Sequence, residues 1–167
     1  DRNGYCTWSA YDEQGREWKF QKDVSIAGID SEKCEMVTPI LNYSDIETLQ
    51  ELVRILRKAG AKSDSTRGCG VHIHIGAKGH TAKTLRNLAN IMASHEQLLI
   101  DALNLDEVRV RRYCRTVDIR FLEQVNRRKP KTMSELADVW YKSHDENYGR
   151  SHHYNGSRYH MLNLHAT

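Results

Sequence analysis

The chain has 167 residues, of which 39% are hydrophobic and 28% are charged, and its formal net charge is +3 at pH 7. This length and composition fit one folded domain with its own core and exclude an intrinsically disordered chain. The small positive charge permits an anionic ligand such as a nucleotide but does not require one. No apolar run approaches the roughly 18 to 20 residues that a membrane span needs, so we expect no membrane partner.

The chain ends indicate whether the sequence is a fragment, and the cysteines indicate the redox compartment. It starts with Asp1 and ends at Thr167, just after a strand-like run, and we expect a fragment of a longer protein that folds as a single domain over 1–167. The cysteines are widely spaced, with no CxxC pair, which favours buried free thiols and a cytoplasmic location over two disulfides. They are Cys6, Cys34, Cys69 and Cys114.

Strand patterns come first in chain order. Residues 5–11 and 16–21 have strand character, and the intervening residues 12–15 are typical of a turn, so we expect a β-hairpin. Another short strand is predicted over 34–38. It should end at Pro39, which has no N–H to donate to a ladder.

The clearest helix pattern covers residues 44–59, with apolar residues on one face. Ser44 and Glu47 have the spacing of a capping box, and Gly60 is a typical C-terminal stop.

A strand is predicted over residues 68–76, GCGVHIHIG. Because side chains alternate along a strand, one face should be core and the other should carry two imidazoles. The predicted core residues are Val71, Ile73 and Ile75, and the predicted ligand-facing residues are His72 and His74.

The second half of the chain is mostly helical in pattern. Helices are predicted over 81–103, in the second half of 109–126, and after Pro130, where Thr132 and Glu135 match a capping box. Residues 142–156 should form a loop, and 158–165 a final strand. These elements predict an α+β fold with helices packed on one side of a largely antiparallel sheet.

Several polar residues stand on or beside these predicted strands. Glu35 lies between apolar residues, where a carboxylate is costly unless it forms a salt bridge at a sheet edge or binds a cation. The pair His72/His74 is a common metal-binding arrangement, although a surface pair or hydrogen-bonded histidines would have the same pattern. Asp23 follows the hairpin, and a buried Arg158 would need an anion.

No phosphate-loop, dinucleotide-binding or GxSxG motif is present, so a nucleotide would have to be held by cations and arginines. Cys69 beside His72 is more typical of a packed thiol than of a nucleophile.

Four segments taken together resemble the putative amidoligase family, which is related to glutamine synthetase and glutamate–cysteine ligase. In chain order they are WKFQKDVSI (18–26), CEMVTPIL (34–41), GCGVHIHIG (68–76) and HYNGSRYHMLNLH (153–165). The resemblance covers essentially the whole chain. It implies an ATP-dependent carboxylate–amine ligase whose curved antiparallel sheet holds ATP and Mg²⁺ or Mn²⁺ on its concave face.

The resemblance also implies roles for individual residues. Glu35, His72 and Asp23 match metal-binding positions, and His74 matches a position that approaches the nucleotide phosphates. Two late positions match phosphate- or substrate-facing residues of the family, and they are Arg158 and Asn163.

Two family patterns are missing from this chain, an early G-x-E-x-E strand and a late E-F-R strand. Residues 116–120 imitate the late pattern but precede SRYHMLNL, so we reject them as its equivalent. We therefore expect truncation at both ends and little or no turnover by the chain alone.

Two alternatives stay open. His72, His74 and a carboxylate could form a three-ligand zinc site of a hydrolase-like protein. The basic run 127–131 and the SRYH segment could belong to a nucleic-acid-binding module, although short basic runs are usually solvated loops.

For the ligase, the partners would be a small-molecule or peptide carboxylate and an amine.

Overall fold

The computed structural model describes residues 6–144, 150–152 and 155–165. The chain divides into two compact units, one that ends at Ile73 and one that starts at His74. The prediction that residues 1–167 act as a single amidoligase-like domain stays a prediction.

The first unit contains a three-stranded antiparallel sheet, in the order β1-β2-β3. The strands are β1 (Thr7–Tyr11), β2 (Glu17–Gln21) and β3 (Glu35–Val37). The predicted hairpin and third strand are thus confirmed. Gly15 closes the hairpin turn with φ +73°, a conformation that glycine adopts without strain.

Helix α1 (Ile46–Lys58) follows the sheet and lies within the predicted range, but its start differs from the prediction. The 3₁₀ turn Tyr43–Asp45 precedes α1, and Asn42 and Asp45 form the reciprocal capping box of this turn. The Ser44/Glu47 capping box is therefore wrong, because the extra turn moves the first unpaired N–H groups to an earlier position. Gly60, at φ +97°, ends the helix as predicted.

Arg16 joins the hairpin to the start of α1. Its guanidinium donates to Asp12 at 2.8 Å and to Asp45 at 2.9 and 3.1 Å. The hydrogen bonds from Arg16 lower the pKa of Asp45, so this carboxylate stays charged at neutral pH. Trp18 is buried beside this network and donates its Nε1–H to Asp12 at 3.0 Å.

The second unit is helical. Its helices are α2 (Ala82–Ala102), α3 (Glu107–Arg112), α4 (Ile119–Arg128) and α5 (Met133–Ser143). The predicted helices over 81–103, in the second half of 109–126 and after Pro130 are confirmed. The Thr132/Glu135 capping box is half right. Thr132 caps α5 by accepting from the Glu135 N–H, while the Glu135 carboxylate accepts from the Lys131 N–H.

The core of this unit lies between α2, α4 and α5. Its buried residues are Ala82, Leu85, Ala89, Phe121, Val125, Leu136, Val139, Trp140 and Tyr141. The α+β class is thus confirmed, whereas the curved, glutamine-synthetase-like sheet with helices on one side stays a prediction. No helix within the described ranges has both the length and the apolar character to cross a membrane.

The predicted strand over residues 68–76 is not formed, and its aliphatic residues are exposed. A strand persists only where another strand pairs with its backbone, and the described sheet consists of β1, β2 and β3 alone. The prediction that Val71, Ile73 and Ile75 are core residues is therefore wrong for this structure.

This correction changes the expected cost of Ile73→Ala. A fully packed isoleucine would lose roughly 2 to 4 kcal/mol of unfolding free energy on truncation. Ile73 is 83% exposed, so we expect a change within about 0.5 kcal/mol in urea unfolding. A loss above about 2 kcal/mol would show that Ile73 is packed in solution.

The predicted strand over residues 158–165 is also absent. Gly156–Arg158 forms a 3₁₀ turn, and a single parallel bridge joins Arg115 to His160. Side-chain packing onto α5 replaces ladder pairing here. The predicted loop over 142–156 is partly helical, since α5 extends to Ser143, and its residues 145–149 and 153–154 lie outside the described residues.

The cysteines are free thiols, as predicted. Cys6 and Cys34 are exposed, while Cys69 and Cys114 are half-buried, so the expectation of buried thiols is wrong for the first two.

Candidate active site

Glu35 begins β3 at one end of the sheet. It pairs in register with Gln21, and the Gln21 side-chain amide donates to its Oε2 at 3.2 Å. The carboxylate is half-buried, and within the described ranges it takes part in no ion pair. The alternative of a salt bridge at a sheet edge is thus not what the structure contains. A half-buried charge whose partner is an amide can still bind a cation.

Asp23 lies at the same end of the sheet as Glu35. It follows the last residue of β2 by two positions, and that residue is the register partner of Glu35. Its carboxylate accepts from the Ser25 N–H at 2.8 Å, which makes the D-x-S stretch an Asx-type turn. The pairing of β2 with β3 therefore brings two of the predicted metal ligands to the same end of the sheet.

The loop that leads to His72 contacts this Asp23 turn. The Ala27 N–H donates to the Arg67 carbonyl at 2.7 Å. Gly68 has φ +93°, and a Cβ added to it would lie 3.1 Å from the Ser25 carbonyl oxygen. Glycine is required here both for the backbone conformation and for the close approach.

His72 itself is exposed. Within the described part of the chain, no three His, Cys, Asp or Glu side chains are grouped so that they could hold a metal ion. The assignment of Glu35, His72 and Asp23 as metal ligands stays a prediction.

The other predicted site residues lie in the second unit. His74 is exposed, and Arg158 ends a 3₁₀ turn with its guanidinium 5.7 Å from the Tyr159 ring centroid. Asn163 is exposed, and its side-chain oxygen accepts from the His165 N–H at 2.9 Å. Their roles toward phosphate and substrate stay predictions.

A comparison with protein families decides the family. The sequence model of a family described as "Putative amidoligase enzyme" matches residues 1–167. The chain belongs to this family. The resemblance inferred from the four segments is thereby confirmed. Comparisons with curated proteins and with solved structures gave no significant match.

The amidoligase chain also contains a buried polar cluster that the sequence reasoning missed. Trp140 donates its Nε1–H to the Ser157 hydroxyl at 2.9 Å, and the His160 Nδ1–H donates to the Ser157 carbonyl at 2.8 Å. Asn155 caps the turn by accepting from the Ser157 N–H at 2.9 Å. These contacts attach the turn that carries Arg158 to α5. The N-G-S letters are a local turn signal, but nothing local indicates that Trp140 is the partner.

Two histidine rings pack against each other in this cluster. The ring centroids of His144 and His160 are 4.6 Å apart, and burial lowers the pKa of both, that of His160 to about 4. Both imidazoles are therefore neutral near pH 7. The His144 Nδ1–H donates to the Trp140 carbonyl, and its Nε2 is buried without a hydrogen-bond partner among the described residues.

This burial predicts a pH dependence of stability for the amidoligase chain. The folded pKa of His160 is depressed, so its stabilising contribution is complete above 6.5 and is lost as the pH falls toward about 4. As the pH falls through that window, the titration of His160 should lower the free energy of unfolding by up to roughly 3 kcal/mol.

Urea unfolding of the wild type and of His160→Phe, at several pH values in this window, measures the effect. The variant keeps a ring but has no titrating nitrogen, so its pH dependence should be flatter. Burial raises the pKa of Glu96, so this carboxyl stabilises the fold more as the pH falls, opposite to His160. Since both proteins contain Glu96, the difference between their pH profiles isolates the contribution of His160. Equal pH slopes would contradict the prediction.

Proposed function

We propose that this member of the amidoligase family is an ATP-dependent ligase that joins a carboxylate to an amine through an acyl phosphate. The observation that carries the proposal is the family match over the whole chain. It is supported by the position of Asp23 and Glu35 at one end of the sheet.

The donor set suits a hard divalent cation. Asp23 and Glu35 supply carboxylate oxygens, which Mg²⁺ and Mn²⁺ prefer, and one imidazole from His72 is acceptable to Mn²⁺ in particular. These residues would hold the cation, which when bound neutralises phosphate charge. Zinc is less well supported, because carboxylate oxygens make up most of this donor set, whereas zinc sites are built mainly from cysteine and histidine ligands.

The remaining predicted residues would act on ATP and substrate. A guanidinium such as that of Arg158 binds phosphate oxygens in a bidentate manner, and His74 would contribute a further hydrogen bond to phosphate. Asn163 would orient the substrate through its side-chain amide. Phosphoryl transfer needs positioning and charge neutralisation more than covalent help from the protein.

The proposed reaction balances as two displacements. A carboxylate oxygen of the first substrate attacks the γ-phosphorus of ATP, and ADP leaves. The amine nitrogen of the second substrate then attacks the acyl carbon, inorganic phosphate leaves, and the nitrogen loses a proton. The products are an amide, ADP and phosphate.

The test is ADP release by the protein at its full natural length, measured with panels of amino acids and peptides as carboxylate and amine. We expect release that needs Mg²⁺ or Mn²⁺ and that increases when both substrates are present. Metal analysis of the purified protein should find no tightly held zinc. Stoichiometric zinc, or ADP release that persists in chelator, would contradict the proposal.

A further inference from the structure

Arginine and tyrosine side chains cluster where α3 meets the turn Gly156–Arg158. The Tyr113 and Tyr159 rings meet edge to face, with centroids 6.0 Å apart. Two guanidinium groups lie near the Tyr113 ring, those of Arg109 and Arg112 at 4.6 and 5.6 Å from its centroid. We call this surface the arginine–tyrosine patch, and its residues are Arg109, Arg112, Tyr113, Arg115 and Tyr159.

Backbone hydrogen bonds hold the two halves of the patch together. The Arg115 N–H donates to the Tyr159 carbonyl at 3.0 Å, and the Met161 N–H donates to the Arg115 carbonyl at 2.7 Å. The Arg115 guanidinium also donates to the Gly156 carbonyl at 3.0 Å. These contacts fix the two backbone segments of the patch relative to each other.

No carboxylate among the described residues pairs with the arginines of the patch. In the described part of the chain, Arg109, Arg112 and Arg115 make no ion pair, whereas the neighbouring Arg111 is paired with Glu107 at 2.7 Å. The tyrosine rings are accessible as well, with Tyr113 44% and Tyr159 37% exposed. Uncompensated guanidinium groups beside exposed rings form a surface for a ligand with both anionic and aromatic groups.

We propose that the arginine–tyrosine patch binds single-stranded nucleic acid. Guanidinium groups contact phosphates, and exposed aromatic rings stack with bases, whose faces are accessible in single strands. An acidic peptide would pair with the arginines but would offer no base to stack on the exposed parts of the two tyrosine rings. This inference does not depend on the ligase reaction, and either can fail without the other.

The first experiment measures fluorescence anisotropy of a labelled oligothymidine with the full chain at several salt concentrations. About three phosphate contacts should give a slope of about −2 in a plot of log affinity against log salt. The double variant Arg109→Gln/Arg112→Gln should bind at least about ten-fold more weakly, with a shallower slope.

The matched control is Arg57→Gln/Lys58→Gln. It removes the same charge from two exposed residues in the last turn of α1, outside the patch. Its affinity should change less than about two-fold. Equal weakening by both double variants would overturn the proposal, because net charge alone would then explain binding.

The second experiment tests stacking at constant charge. Tyr113→Leu should weaken oligothymidine binding by about ten-fold, and Tyr113→Phe, which keeps the ring, should bind like the wild type. Circular dichroism confirms that each variant is folded. If Tyr113→Leu binds like the wild type, or if polyglutamate competes as well as oligothymidine, the patch is a general polyanion or acidic-peptide surface and the proposal is wrong. Absence of oligothymidine binding at low salt would overturn it outright.

Discussion

In the protein at its full natural length, Glu35→Gln should lower ATP-dependent turnover at least ten-fold, on the order of 1.4 kcal/mol or more in transition-state stabilisation. The substitution keeps the shape and removes the negative charge from the proposed cation site. Mn²⁺ affinity, measured by calorimetry, should fall in parallel, and this second measurement does not depend on activity. The Gln21 amide next to Glu35 can donate to a glutamine oxygen as well, so the fold should be retained.

The control for this prediction is Glu13→Gln. Glu13 is an exposed carboxylate in the hairpin turn, at the end of the sheet opposite Glu35. It should leave both Mn²⁺ affinity and turnover unchanged. If Glu35→Gln binds Mn²⁺ as tightly as the wild type, Glu35 is not a metal ligand, and the role implied by the family resemblance does not hold for this chain. Thermal melts of each variant separate loss of function from loss of folding.

Phe121→Ala should lower the free energy of unfolding by roughly 3 to 5 kcal/mol, more than any other substitution proposed here. Its side chain is fully buried between α2, α4 and α5, and its ring meets Trp140 edge to face with centroids 4.8 Å apart. Truncation removes this contact and leaves a cavity that the surrounding helices can only partly fill. Such a loss is a large fraction of the stability of a typical domain.

Urea unfolding followed by far-ultraviolet circular dichroism measures this change. Ile119→Ala is the control, since Ile119 lies in the same helix but is 65% exposed, and its truncation should change stability by about 0.5 kcal/mol or less. If the two compact units unfold in separate transitions, only the transition of the helical unit should shift. A loss below about 1 kcal/mol for Phe121→Ala would contradict the described core.

Local patterns determined most of the secondary structure of this chain. The turn between β1 and β2, the apolar spacing of α1 and α2, and the Thr132 cap of α5 act over a few residues, so the sequence alone indicates them. The same holds for the family, because its four segments are recognisable by their letters and their order. The candidate residues Asp23 and Glu35 were found in this way.

Tertiary structure decided what depends on a partner that is distant in sequence. Residues 68–76 alternate like a strand, yet a strand needs a second strand for its backbone, and none pairs with them in the described part of the chain. Residues 158–165 also form no strand, but side-chain contacts bury part of this segment. The burial of His160 against Trp140 and His144, and the hydrogen bond from Trp140 to Ser157, hold the 156–158 turn to α5 in place of the predicted ladder. Contacts across such separations leave no periodic signal in either segment, so only the folded chain reveals them.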